Sequence, residues 1–139
     1  MTASEAYFRK ELVQELRNVS KMMKGEKNLE KKIYYFSAAY GITNRHYRYA
    51  FSGEVLLADL VLTASYQTLT ERLNMLKSGN TTVMMDEQVF EKIQDGLLEL
   101  ADAFENRKPA QDALECILTE AFSISGPGNY LKEKGMLKG

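Results

Sequence analysis

Apolar residues recur along most of this chain at spacings of three and four, which is the period of an amphipathic α-helix. The first run predicts a helix over residues 3–24. Thr2 and Glu5 have the spacing of a capping box at its start. Lys24 and Gly25 form the pattern at which helices stop. The stripe that this helix would bury consists of Phe8, Leu12, Leu16, Val19 and Met23.

A second run predicts a helix over residues 28–51. Gly41 lies in its middle, and a glycine inside a helix costs about 1 kcal/mol relative to alanine. The apolar phase continues across this glycine, which favours one unbroken helix. A turn over residues 41–44, with Asn44 capping a further helix, is the open alternative. The chain therefore turns either there or at Gly53.

The third predicted helix, residues 54–77, is apolar nearly all round at its start. A helix that is apolar on every face has to be buried on every face, so we expect the C-terminal segment or a second subunit to cover it. Asp59 lies inside this helix, where a charge is costly unless it is paired. It is expected to form a salt bridge to another helix, with Arg45 or Arg48 as a reasonable partner; a boundary position or a functional acid are the open alternatives. The apolar positions are Val55, Leu56, Leu57, Leu60, Val61 and Leu62.

Two further helices are predicted over residues 86–105 and 109–124, with Pro109 in the first turn of the last one. These elements predict an all-α fold, an antiparallel helical bundle of four long helices plus a short fifth helix and a C-terminal tail. We place the bundle domain at residues 1–125 and a tail or short helix at 126–139.

Composition narrows the class of protein. The 139 residues are 45% hydrophobic and 27% charged, with a net charge of −1, which is typical of a globular domain. The single cysteine, Cys116, excludes an internal disulfide and a multi-cysteine zinc site. The start of the chain lacks the apolar run of a secretory signal, and no apolar stretch is long enough to cross a bilayer. We therefore expect a cytoplasmic protein with no membrane partner.

Charge is unevenly placed along the chain. Residues 1–50 carry ten Lys/Arg and five Asp/Glu, whereas residues 51–120 carry five and thirteen. The first helix has a basic stripe opposite its apolar one, and the fourth helix has an acidic face. We expect these faces to meet, either within one chain or between subunits. The basic stripe comprises Lys10, Gln14, Arg17, Lys21 and Lys24. The acidic face comprises Glu87, Glu91, Asp95, Glu99, Asp102 and Glu105.

The segment 33–51 holds five of the eight tyrosines, the only histidine and two arginines. Tyrosines of this kind commonly pack at the wet rim of a helical core, because the ring is apolar and the hydroxyl polar. Interleaved rings and guanidinium groups also stack nucleic-acid bases and neutralise phosphates. The candidate ligand- or partner-binding residues are Tyr40, Arg45, His46, Tyr47, Arg48, Lys21, Lys24 and Lys31.

Catalytic and metal chemistry find little support in the sequence. A Cys–His or Ser–His pair would have to use His46, and Cys116 lies among acidic residues that raise a thiol pKa. No Glu-x-x-His pair exists, and the acids of the fourth helix point away from its apolar stripe. We therefore expect no catalytic residue, no metal and no cofactor.

These patterns predict a small, non-catalytic helical interaction or scaffold protein. We expect it to form a homodimer through the third helix, with an acidic protein or RNA as a further possible partner. The alternative is an RNA- or nucleotide-binding protein that uses the basic and aromatic face of residues 21–51. A third interpretation is an enzyme with a small-molecule pocket around Tyr40, Arg45, His46 and Tyr47.

Overall fold

The computed structural model describes residues 3–49, 52–79 and 87–123, which form five α-helices and no strand. The predicted all-α fold, with four long helices and a shorter fifth, is confirmed. The capping box predicted at Thr2 and the tail predicted over 126–139 lie outside the described residues. The helices are α1 (Ala3–Lys24), α2 (Leu29–Tyr49), α3 (Gly53–Lys77), α4 (Glu87–Glu105) and α5 (Gln111–Ser123).

Each helix packs against two others, so the five helices form a closed ring in the order α1, α2, α3, α5, α4. Arg45 pairs with Glu11, and Lys32 contacts Met23, so α1 and α2 are antiparallel. Contacts at both ends show the same for α1 with α4, α2 with α3 and α4 with α5. A ring of five cannot be antiparallel throughout, and therefore α3 and α5 run parallel.

The parallel pair is joined by a buried arginine near the C-terminal ends of both helices. Arg72 of α3 donates a hydrogen bond of 2.7 Å from Nη1 to the carbonyl of Ala121 in α5. This carbonyl belongs to the last turn of α5, where carbonyl groups have no partner within the helix. The guanidinium group therefore caps α5 from the neighbouring helix.

The turn between α1 and α2 is fixed by side chains that satisfy both helix ends. The Asn28 side chain accepts a hydrogen bond of 3.1 Å from the amide of Lys31, which makes Asn28 the N-cap of α2. Lys32 donates from Nζ to the carbonyl of Met23 over 2.9 Å, close to the C-terminus of α1. A cation at this position also matches the negative end of the helix dipole.

Two ambiguous positions in the sequence are settled by the observed helix bounds. Helix α2 continues through Gly41 without a break, as the apolar phase predicted, and the chain turns just before Gly53. Pro109 lies two residues before α5 rather than in its first turn. The amide of Leu114 donates to the carbonyl of Ala110 over 3.1 Å, so Ala110 occupies the N-cap position.

Among the described residues, helix α3 is buried on one face only. The predicted cover of its other faces, by the C-terminal segment or a second subunit, stays a prediction, because both lie outside the described residues. Val55, Ala58 and Leu62 are buried against the ring. Leu57 is 46% exposed and Leu60 is 59% exposed. The aliphatic residues at the start of α3 therefore supply both the core and an apolar outer surface.

The hydrophobic core lies inside the ring and receives side chains from all five helices. No helix in the described ranges is long and apolar enough to cross a membrane. The largest fully buried side chains are Phe36, Phe90, Phe104, Leu12, Leu16, Met23, Leu62, Leu69, Ile93, Leu97, Leu100 and Ile117.

Candidate interaction surface of helices α2 and α3

The predicted basic and aromatic residues do not form one continuous face. Lys21, Lys24 and Lys31 are exposed around the turn between α1 and α2. Arg45 and Arg48 are exposed near the opposite end of α2. Lys31 and Arg45 are fourteen positions apart, which at a rise of 1.5 Å per residue is about 21 Å. The structure thus divides the predicted set into two separate groups of cations.

His46 lies in the core rather than on a binding surface. Its side chain is only 2% exposed, and the Phe8 ring packs edge-on to it with 6.3 Å between ring centroids. Burial lowers the pKa of His46, and the nearby charge of Arg9 lowers it further. The neutral imidazole is therefore favoured at neutral pH. The two cavities described below are lined by other residues.

The two predicted tyrosines are half-buried by helix packing. The Tyr40 ring packs against that of Tyr66 in α3, with centroids 4.9 Å apart and the planes tilted by 41°. Tyr47 packs against the hydrophobic core. Arg45, next to His46, forms an ion pair of 3.0 Å with Glu11 of α1. These contacts give each of these residues a role in helix packing, whether or not it also binds a partner.

The expected ion pair between Asp59 and an arginine of α2 is not formed. Asp59 instead accepts hydrogen bonds from Thr43 Oγ1 at 3.4 Å and from Asn44 Nδ2 at 3.3 Å. Arg45 is one helical position beyond Asn44, about 100° further round α2, and that rotation turns it toward α1 and Glu11. The carboxylate therefore stays at the surface of the α2–α3 interface.

A groove of about 560 Å³ runs along this interface. Gly41 keeps it open, since a Cβ built on this residue would have no atom within 4 Å. The exposed Leu60 lines the groove, and Leu57 lies one turn before it on the same outer face of α3. We call Leu57, Leu60 and the groove the α2–α3 surface. The groove is lined by Tyr40, Gly41, Asn44, Asp59, Leu60, Thr63, Ala64 and Gln67.

The basic stripe of α1 contacts the acidic face of α4 within one chain through Arg17, whereas Lys21 and Lys24 pair with no carboxylate among the described residues. Arg17 pairs with Asp102 at 2.8 Å and with Glu105 at 2.9 Å. The guanidinium group holds the pKa of Glu105 below its usual value. All three side chains are substantially exposed, so the contact orients the two helices more than it stabilises them.

The environment of Cys116 does not activate its thiol. Burial raises the pKa of the Cys116 thiol, and the Glu120 carboxylate raises it further, which agrees with the direction that the sequence predicts. Its sulfur lies 3.9 Å from the carbonyl of Lys92. Among the described residues, no three His, Cys, Asp or Glu side chains are grouped so as to hold a metal ion.

A scan against protein-family models finds no match to this chain, and searches of curated proteins and of solved structures find none. The function is accordingly inferred from the chain's own residues.

The sequence had singled out the aliphatic start of α3, but it missed the groove beside it. The sequence signal for this surface is a stripe of outward-facing positions on α3, spaced by three and four residues. Only the first half of this stripe is apolar. To predict the groove from the sequence, one would have to know that Gly41 faces outward beside α3. The stripe comprises Leu57, Leu60, Ala64, Gln67, Glu71 and Asn74.

Proposed function

We propose that this protein is a small, non-catalytic helical interaction protein that self-associates through the α2–α3 surface. The observation that carries the proposal is the exposure of Leu57 and Leu60 beside an open groove. Full burial of a leucine side chain is worth roughly 1.5–3 kcal/mol. Because Leu57 and Leu60 are about half exposed, burying them against a second subunit would contribute the rest of this free energy to association.

Symmetry explains why a second copy is a suitable partner. In a two-fold dimer the same patch serves both subunits, so a ridge and a groove side by side can fill each other. Leu60 supplies the ridge, and the missing side chain at Gly41 supplies room for the partner's ridge. Beyond Ala64 the outward stripe becomes polar at Gln67 and Glu71. A contact limited to the first half of α3 predicts a reversible, concentration-dependent dimer.

The test compares two charge substitutions on the same helix. Leu60→Asp places a carboxylate in the proposed interface, whereas Met75→Asp places one at an exposed position near the other end of α3. Molar mass is measured by light scattering and sedimentation over a range of concentrations. We expect the wild type and Met75→Asp to dimerise and Leu60→Asp to remain monomeric. A monomeric wild type at the highest concentration, or an unchanged dimer in Leu60→Asp, contradicts the proposal.

RNA or nucleotide binding is the second candidate, and one observation favours it. Lys21, Lys24 and Lys31 are exposed around one corner of the bundle, and no carboxylate among the described residues pairs with them. Binding there predicts that a labelled oligonucleotide binds at low salt and dissociates steeply as salt rises. Lys21→Glu with Lys31→Glu should abolish binding, whereas Arg45→Ala should not. No binding at low salt rejects this candidate.

A further inference from the structure

A buried lysine lies at the junction of α1, α2 and α4. Lys32 is 4% exposed, and its Nζ donates to the Met23 carbonyl at 2.9 Å. The same ammonium group lies 5.8 Å from the centroid of the Phe90 ring. Within the described ranges no carboxylate lies at ion-pair distance from Nζ. The lysine cation is thus compensated by a helix C-terminus and an aromatic face, but by no anion.

The hydrogen-bonding capacity of this lysine is only partly used. An ammonium group carries three donors, and in Lys32 one of them reaches Met23. A buried charge without a counter-ion is expensive, and each unused donor adds to that cost. A bound anion would offset both the cost of the buried charge and the cost of the unused donors.

Gln94 adds a second unsatisfied donor to the same place. It lies one turn after Phe90 on α4, is 4% exposed, and its Nε2 is buried without a hydrogen-bond partner. Its backbone carbonyl is already used, since it accepts a hydrogen bond of 3.0 Å from Ser20 Oγ. The amide side chain is therefore held in place by its helix while its own donor stays free.

Lys32 and Gln94 both line one cavity of about 350 Å³, a size that accepts a small organic molecule. Ser20, Lys32 and Gln94 form its buried wall, and all three are more than nine-tenths buried. Glu91 and Asp95, which lie one turn apart on α4, are at its exposed edge. The cavity therefore has donor-bearing residues on its buried wall, and at its mouth the two carboxylates lie beside the exposed ammonium group of Lys24. It is lined by Ser20, Lys24, Lys32, Glu91, Gln94, Asp95 and Leu98.

This distribution of charge selects a ligand class. A carboxylate suits the inner wall, because it accepts hydrogen bonds from an ammonium and an amide at once. A multiply charged anion such as phosphate is disfavoured at the mouth, because the two carboxylates of Glu91 and Asp95 outnumber the one cation of Lys24. A ligand ammonium group suits these two carboxylates. A zwitterion with both groups matches the cavity from wall to mouth.

We propose that this cavity binds a free α-amino acid, with its carboxylate on Lys32 and Gln94 and its ammonium group on Glu91 and Asp95. The site lies on α1, α2 and α4 and is separate from the α2–α3 surface. Its existence does not depend on self-association.

The full chain labelled with ¹⁵N is titrated with each of the common α-amino acids, and with acetate, methylamine and inorganic phosphate as comparison ligands. The side-chain amide signals of Gln94 are assigned by their loss in Gln94→Leu. We expect at least one amino acid to shift these signals saturably, with acetate weaker and phosphate inactive. Followed through the backbone amide signals of the cavity residues, Gln94→Leu should weaken binding by about tenfold or more, as loss of a hydrogen bond to a charged group predicts.

Variants at the mouth test the second half of the proposal without disturbing the core. Glu91→Gln with Asp95→Asn replaces two exposed side chains and should remove the preference for amino acids over acetate. Lys31→Met, an exposed neighbour of Lys32, is the matched control and should bind as the wild type does. Absence of any saturable shift, or binding of acetate or phosphate as tightly as any amino acid, overturns the proposal.

Discussion

Gly96 of α4 lies directly against Ile117 of α5. A Cβ built on Gly96 would be 2.7 Å from Ile117 Cγ1 and 3.6 Å from the carbonyl oxygen of Ala113. The shorter distance is well inside van der Waals contact, and Cγ1 is close to the Ile117 backbone, so it cannot move away cheaply. The missing side chain at position 96 therefore sets how closely α4 and α5 approach.

Gly96→Ala should destabilise the protein even though alanine is the better helix former. Propensity favours alanine by about 1 kcal/mol, while overpacking a filled core costs typically 1–3 kcal/mol. We expect a net loss of about 1 kcal/mol in the free energy of unfolding, measured by urea denaturation. A stabilised single variant would show that α5 shifts freely.

Gly41→Ala should have the opposite effect. A Cβ at this position in α2 would have no atom within 4 Å, so the substitution gains helix propensity without a clash. We expect the monomer to become more stable by up to about 1 kcal/mol. Urea denaturation at a concentration where the chain is monomeric measures this. A loss of stability would contradict this prediction, because it would mean that a side chain at position 41 clashes with atoms of the α2–α3 groove.

Sequence reasoning predicted the helices well, because each has a continuous apolar stripe and a recognisable end. The predicted range 3–24 and the observed α1, Ala3–Lys24, coincide. Two glycines show what the sequence pattern could not predict. Gly41 and Gly96 both lie inside helices, and only the neighbouring helix distinguishes an open position from a closed one. A stripe identifies the buried face of a helix but not what packs on it.

Buried cations were missed for a related reason. Lys32 and Arg72 were not predicted to be buried, yet both occupy places on an apolar stripe. Lys32 follows Leu29 by three residues, and Arg72 follows Leu69 by three. That spacing was the available signal. Their hydrogen-bond acceptors are the carbonyls of Met23 and Ala121, which lie at the C-terminal ends of neighbouring helices. These helix ends reach the two cations only in the folded ring.

The buried imidazole of His46 should make the protein less stable in mild acid. Burial lowers its pKa from the usual 6.5, with Arg9 lowering it further, while the Phe8 carbonyl and the carboxylates of Glu11 and Glu5 oppose the shift. Between the folded pKa and 6.5 the unfolded chain binds the proton more strongly. The stability that neutral His46 contributes is therefore present above pH 6.5 and is lost as pH falls through the folded pKa.

The measurement compares the wild type with His46→Gln by urea denaturation at several pH values. The free energy of the wild type should fall relative to that of the variant as pH drops below 6.5. The two proteins will also differ in the free energy of unfolding by an amount that does not depend on pH. Only the part of the difference that changes with pH reports the titration of His46. Parallel curves would show that His46 titrates alike in the folded and unfolded chains.

Arg72 should stabilise the α3–α5 contact through its buried stem and its hydrogen bond to the Ala121 carbonyl. Burial lowers its pKa to about 10, which reflects the cost of holding the charge away from water. Arg72→Ala removes the buried stem and the donor to Ala121, and we expect a loss of about 3 kcal/mol in the free energy of unfolding. Arg72→Met keeps the apolar volume and removes the charge, so it should recover most of that loss.

The exposed Arg48 supplies the matched control, since Arg48→Ala should change the free energy of unfolding by no more than about 0.5 kcal/mol. The order of stability should therefore be Arg48→Ala, then Arg72→Met, then Arg72→Ala. If Arg72→Met were as unstable as Arg72→Ala, the charge or its hydrogen bond to Ala121 would be the dominant contribution, and α5 would depend on that cap for its position beside α3.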